Sequence, residues 1–235
     1  MPSPHHGPAP VLPPPPAPPS RAAAVTAAGC LAAAAVLTVL VAAAWQPLLG
    51  FDREVAGALH RSAVAEPGLT RANRILTDWF WDPWTFRLLI AVTTVWLWVR
   101  GERRLAVWVA VATVVGAAVS QGLKTLVGRE RPEWPDPVDS AHYAAYPSGH
   151  ALTAMLSCCL LLWVAVRRGA RGAALARGAA LAVVSVLGVG FTRVYLGVHW
   201  TSDVLAGWLL GALVAALAVL AYDRRPVGRG RLRRR

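Results

Sequence analysis

Two histidines, one isolated carboxylate and three cations carry the chemistry that this chain offers. Asp203 is the only acidic residue between Ser140 and Tyr222, and it opens an apolar run. An ionisable group in that setting faces a partner or a polar cavity. His199 lies four residues earlier, so on a helix the two side chains share one face, a turn apart. A carboxylate there accepts a hydrogen bond from one imidazole nitrogen and leaves the other free as base or nucleophile. His150 follows Pro147-Ser148-Gly149 at the start of another apolar run. Unpaired backbone N–H groups and the helix dipole favour an anion at such a start, and Gly149 lets the backbone approach it closely. Lys124, Arg131 and Arg193 add three cations suited to a tetrahedral oxyanion. Lys124 is the single lysine among 24 basic residues. Each feature has a plainer reading by itself: long cations snorkel from helix ends, and Pro-Ser-Gly forms turns. Together they point to phosphoryl transfer, which is mostly positioning and charge neutralisation. Fixed cations can do the work of Mg²⁺, so no metal or other cofactor is expected. A zinc site of His150, His199 and Asp203 would be opposed by the same cations.

The elements that must position these groups are apolar. Of the 235 residues 56% are hydrophobic and 15% charged, against roughly 25% charged in soluble domains. The net charge of +12 comes from arginines in short clusters between apolar runs. That is the pattern of topology signals, whereas a nucleic-acid site needs a basic face on a soluble fold. Three cysteines suggest no disulfide framework. Residues 1–21 contain ten prolines and are expected to be disordered. Six apolar runs follow, at 22–49, 84–99, 105–127, 151–166, 173–190 and 201–222, against the ~20 residues that cross a bilayer. The first run is read as a retained helix, since it outlasts a signal peptide's apolar region and follows the proline tail. The expected fold is all-α: a six-span transmembrane helical bundle over 22–222, with a disordered N-terminal tail (1–21) and a basic cytoplasmic tail (223–235). Fifteen basic residues fall on one side of these runs and nine on the other. The positive-inside rule therefore puts both termini in the cytoplasm. The loops 50–83, 128–147 and 191–200 then face outward with the chemistry, and Trp79, Phe80, Trp81, Trp84 and Phe86 sit at the outer interface.

Lys124-x6-Arg131-Pro132, Pro147-Ser148-Gly149-His150 and Arg193-x5-His199-x3-Asp203 resemble, in order and spacing, the three-part signature of the type 2 phosphatidic acid phosphatase superfamily. That superfamily includes membrane lipid phosphatases and shares its site with vanadium-dependent haloperoxidases. One departure is Thr192 before Arg193, where the family usually has serine; the hydroxyl is kept. The resemblance implies that His199 attacks phosphorus, Asp203 orients it, and His150 protonates the leaving oxygen and then assists water. Lys124, Arg131, Ser148, Gly149 and Arg193 would hold the phosphoryl oxygens. Glu130, Asp136, Asp139 and His142 read as a solvated loop. The expected partner is a lipid phosphate, phosphatidate-like or polyprenyl diphosphate, and no nucleic acid. The alternatives are a phosphotransferase using the same site, or a non-catalytic transporter or scaffold. Transporters place ionisable groups near the midplane in repeated halves, whereas these lie at helix ends on one side.

Overall fold

The computed structural model describes residues 21–224. The proline-rich residues 1–20 and most of the expected basic tail lie outside the described residues. Within them the chain is all-helical: α1 (Arg21–Ala42), α2 (Gln46–Ala65), α3 (Pro67–Ile75) continuing into a π turn (Leu76–Phe80), α4 (Pro83–Val99), α5 (Arg103–Val127), α6 (Gly149–Arg167), α7 (Gly172–Tyr195) and α8 (Thr201–Arg224). Helix boundaries follow local chemistry. Pro83 occupies the first turn of α4, and the Asp82 carboxylate accepts the Trp84 N–H at 2.7 Å, a standard N-cap. α5 stops at Gly128, whose φ of 58° is the left-handed cap that glycine adopts without strain.

α1, α5, α6, α7 and α8 are long and apolar enough to cross a membrane, and together they make a multi-pass membrane protein. α4 has 17 residues, about 25 Å of helix. The outward faces of these helices carry exposed Leu31 and Val36, Leu88 and Val92, and Leu181 and Leu187. Such faces suit lipid, and would be costly against water. α8 is apolar on nearly all sides, as a central helix should be, and α6, α1 and α5 pack round it. The main core interleaves Leu152, Leu156, Leu160 and Val164 of α6, four residues apart, with Leu210, Leu213 and Val214 of α8 and Leu105 and Val109 of α5. Gly207 and Gly211 make the α6–α8 approach possible. A Cβ on Gly207 would lie 2.7 Å from the Ser148 carbonyl oxygen, and one on Gly211 2.7 Å from that of Leu152. Small residues four apart let helix backbones close on each other in this way.

Three expectations change. The run 22–49 is not one helix: α1 ends at Ala42 and α2 begins at Gln46, with Ala44 at a φ of 51° between them. The segment 50–83 is not a loop but α2, α3 and the π turn. The buried stripe of α2 is Asp52, Ala56, His60 and Ala63. A helix that turns polar groups inward has no apolar signature in its sequence. The expected aromatic belt divides. Trp79, Phe80 and Trp84 are exposed, while Phe86 joins a core cluster and Trp81 packs against it.

Candidate active site

Antiparallel alternation brings the end of α5, the start of α6, the end of α7 and the start of α8 to one end of the bundle. The 128–148 connection folds across them. Asp203 is fully buried in the first turn of α8. Its Oδ2 accepts the Trp200 backbone N–H at 2.9 Å and faces His199 Nδ1 at 3.3 Å. Its Oδ1 accepts from Arg129 Nη1 at 2.6 Å. The carboxylate thus closes the helix N-terminus as an acidic cap, where the dipole favours it. His199 lies just before α8 rather than on it, so this cap, and not a shared helical face, makes the histidine–aspartate pair. The backbone N–H groups of Val198 and His199 both donate to the Arg193 carbonyl at 3.2 Å, which folds the loop back onto the end of α7.

Two of the neighbours of His199 favour one tautomer. Arg131 Nη1 lies 3.1 Å from Nε2, and a guanidinium can only donate. Nε2 therefore presents its lone pair, and Nδ1 carries the hydrogen that Asp203 accepts. Burial, then Arg131, Arg193 and Lys124, hold the imidazole well below its usual pKa, so it is neutral at neutral pH.

The remaining expected residues collect here. Arg131 reaches inward, donating also to the carbonyls of Val198, Tyr143 and His142. Lys124 Nζ donates to the Ala144 carbonyl at 2.5 Å. Arg193 is buried, with Nη1 3.3 Å from Thr77 Oγ1 of the π turn. The Thr192 hydroxyl donates to the Val189 carbonyl at 2.9 Å. The Ser148 N–H donates to the Asp203 carbonyl at 3.0 Å, seating the start of α6 on α8. His150, in the first turn of α6, is within electrostatic reach of His199, Arg193, Arg131 and Lys124. Ser148 Oγ and Arg193 Nε are buried without a protein partner. Among the described residues, Lys124, Arg131 and Arg193 form no ion pair. They leave a positive, donor-rich site beside a neutral imidazole. A cavity of about 750 Å³ lined by Arg71, Arg74, Asp78 and Trp79 contains none of these residues, whereas one of about 440 Å³ is lined by Arg131, Gly197 and Val198.

Two participants were not singled out from sequence. Arg129 counted only as an outward cation, and Asp52 as nothing. Arg129 Nη2 donates to Asp52 Oδ2 at 2.7 Å, so this fourth cation is taken up by two carboxylates. The available signal was Asp203 itself: a buried carboxylate with two oxygens needs more than one histidine N–H.

Residues 105–226 match the PAP2 superfamily, and the chain belongs to it. Its relatives are phosphatases. An undecaprenyl-diphosphatase of Sulfolobus acidocaldarius is 28% identical over 76% of this chain and 82% of its own length. A decaprenylphosphoryl-5-phosphoribose phosphatase of Mycobacterium tuberculosis is 36% identical over 52% of this chain and 61% of its own. The fold matches the crystal structure of a transmembrane PAP2 type phosphatidylglycerolphosphate phosphatase from Bacillus subtilis, with a TM-score of 0.68 and 21% identity over 82% of this chain and 94% of that one.

Proposed function

We propose that this protein is an integral-membrane lipid phosphatase that hydrolyses a phosphate monoester or diphosphate through a phosphohistidine on His199. The observation that carries the reading is the neutral imidazole, its Nε2 facing Arg131 with Lys124 and Arg193 in electrostatic reach, three cations that form no ion pair among the described residues. The phosphoryl oxygens accept from Lys124, Arg131, Arg193, the Ser148 hydroxyl and the Gly149 backbone. A charged phosphoryl oxygen is a stronger acceptor for Arg131 than an imidazole nitrogen, so substrate frees Nε2. Nε2 then attacks phosphorus in line. The P–N bond forms as the bond to the leaving oxygen breaks, and His150, protonated through the negative charge of the bound phosphate, gives that oxygen its proton. In the second step His150 takes a proton from water, whose oxygen displaces His199 from phosphorus. Asp203 stabilises the positive charge that the imidazole carries in between.

A polyprenyl-linked phosphate is the favoured substrate class, supported by the names of the relatives, with phosphatidate-like lipids second. In this reading α4 serves as the sixth span, and the arginine distribution supports an active end outside with both termini inside. Purified protein should release phosphate from undecaprenyl diphosphate in EDTA, and His199→Ala should lower that release by on the order of 10³-fold or more. Parallel assays on phosphatidate and phosphatidylglycerophosphate rank the lipids. Wild-type turnover in the His199→Ala variant would refute the nucleophile, and loss of wild-type activity in EDTA would refute metal independence.

A further inference from the structure

Arg129 differs from the three other cations of the site in what it holds. Its Nη1 donates to Asp203 Oδ1 and, at 2.7 Å, to Ser202 Oγ, while Nη2 donates to Asp52. Asp52 comes from α2 and is fully buried. Its Oδ1 accepts the Ser202 backbone N–H at 2.9 Å, and the Ser202 hydroxyl donates to Oδ2. The Arg129 guanidinium also lies over the Trp200 ring, 5.5 Å from its centroid. Two buried carboxylates and a hydroxyl thus converge on a cation that does not face the nucleophilic nitrogen.

We propose that Arg129 and Asp52 are positioning residues for the nucleophile: Arg129, fixed by Asp52, holds Asp203 so that Oδ2 keeps His199 Nε2 aimed at phosphorus. The proposal rests on the reading of His199 as nucleophile. With Oδ1 tied to Arg129, the carboxylate plane cannot rotate, and Oδ2 is left for Nδ1–H and the Trp200 N–H. Asp52 sets the charge. One guanidinium between two carboxylates leaves the cluster anionic, so Asp203 retains its pull on Nδ1–H as the imidazole gains positive charge. Without Arg129, two buried carboxylates would lose the cation between them, and their mutual repulsion would loosen Asp203. The other charged or titratable groups around the cluster are His199, Lys124 on α5, Arg131 and Tyr146 in the connection, and Arg53 and Glu130, which line one cavity with Arg129. Arg129 is not among the cations proposed to hold the phosphoryl oxygens, so losing it should spare binding.

The test measures kcat and KM for farnesyl diphosphate and dioctanoyl phosphatidate, with melting curves in detergent, for wild type, H199A, R129Q, D52N and the double variant D52N/R129Q. R129Q should lower kcat about 100-fold with KM within about threefold of wild type, and D52N should lower kcat about tenfold. The double variant should recover about tenfold over R129Q, because removing the Asp52 charge relieves the repulsion on Asp203. A merely structural role would make the double variant the least active. The proposal is overturned if R129Q keeps kcat within about threefold of wild type, if its loss lies in KM, or if the double variant is no better than R129Q. Should R129Q fail to fold, D52N decides alone: a kcat loss at unchanged KM and melting curve supports the proposal, and unchanged kcat overturns it. Full turnover in H199A would instead sink the nucleophile reading, whatever Arg129 does.

Discussion

At the scale of single residues, the site depends on keeping one imidazole neutral among cations. The burial and positive neighbours that depress the His199 pKa oppose protonation, so the proposed nucleophile persists as pH falls. The acid limb of kcat/KM should therefore lie below ~6.5, the ordinary histidine value. The linkage has a stability counterpart. The unfolded imidazole takes up a proton near pH 6.5 that the folded one refuses, so this group's contribution is complete above that pH and declines as pH drops toward the folded value. A pH–rate profile whose acid limb sits at the ordinary histidine value would contradict the environment described for His199. Ser148 Oγ and Arg193 Nε fit the same logic. Buried donors without a protein acceptor are uncommon in folded proteins, and in the proposed mechanism phosphoryl oxygens accept from both residues.

Among the helices, the decisive contact is α6 on α8. The Ser148 N–H bond to the Asp203 carbonyl joins the start of α6, the proposed anion-binding end, to the first turn of α8, whose Asp203 faces His199. Gly207, one turn further along α8, touches the Ser148 carbonyl. An added methyl would meet backbone there, which cannot swing aside as a side chain can. Gly207→Ala should thus cost about 1–3 kcal/mol of stability and shift Ser148, Gly149 and His150, lowering kcat at least tenfold while the protein still inserts. Detergent melting and steady-state kinetics check this, and wild-type kcat in the variant would show that the close approach is dispensable. A second close approach holds the loop before α8. Gly197, at a φ of 69°, leaves room for Trp134, whose indole N–H donates to the Gly197 carbonyl at 2.9 Å and whose ring stacks on His60 at 4.1 Å. α2 therefore supports the site twice, through Asp52 and through His60.

For the whole molecule, the distribution of charge and apolar surface defines the relation to the bilayer. The arginine clusters at the end opposite the site should face the cytoplasm. A reporter fused after Arg235 should behave as cytoplasmic. A cysteine placed at exposed Tyr143 should react with a membrane-impermeant thiol reagent in intact cells. The opposite pair of results would invert the topology. The apolar runs were legible from sequence because a membrane span is a local property: some twenty side chains each prefer lipid. The expected runs at 84–99, 105–127, 151–166 and 201–222 agree with helices to within two residues at either end. The motif residues were legible too, since their order and short spacings resemble a family signature. α2 was not, because its inward face is polar and contradicts the hydropathy rule. Nor were Asp52 and Arg129, which meet 77 residues apart through charge pairing that has no period. The sequence by itself determined that a histidine–aspartate pair and three cations gather at one end of a helical membrane protein. Only the tertiary structure decided that Asp203 is held by Arg129 and Asp52 and that His199 presents Nε2. Buried charges are satisfied by whichever partners the fold brings within about 3 Å, and sequence distance does not enter that condition.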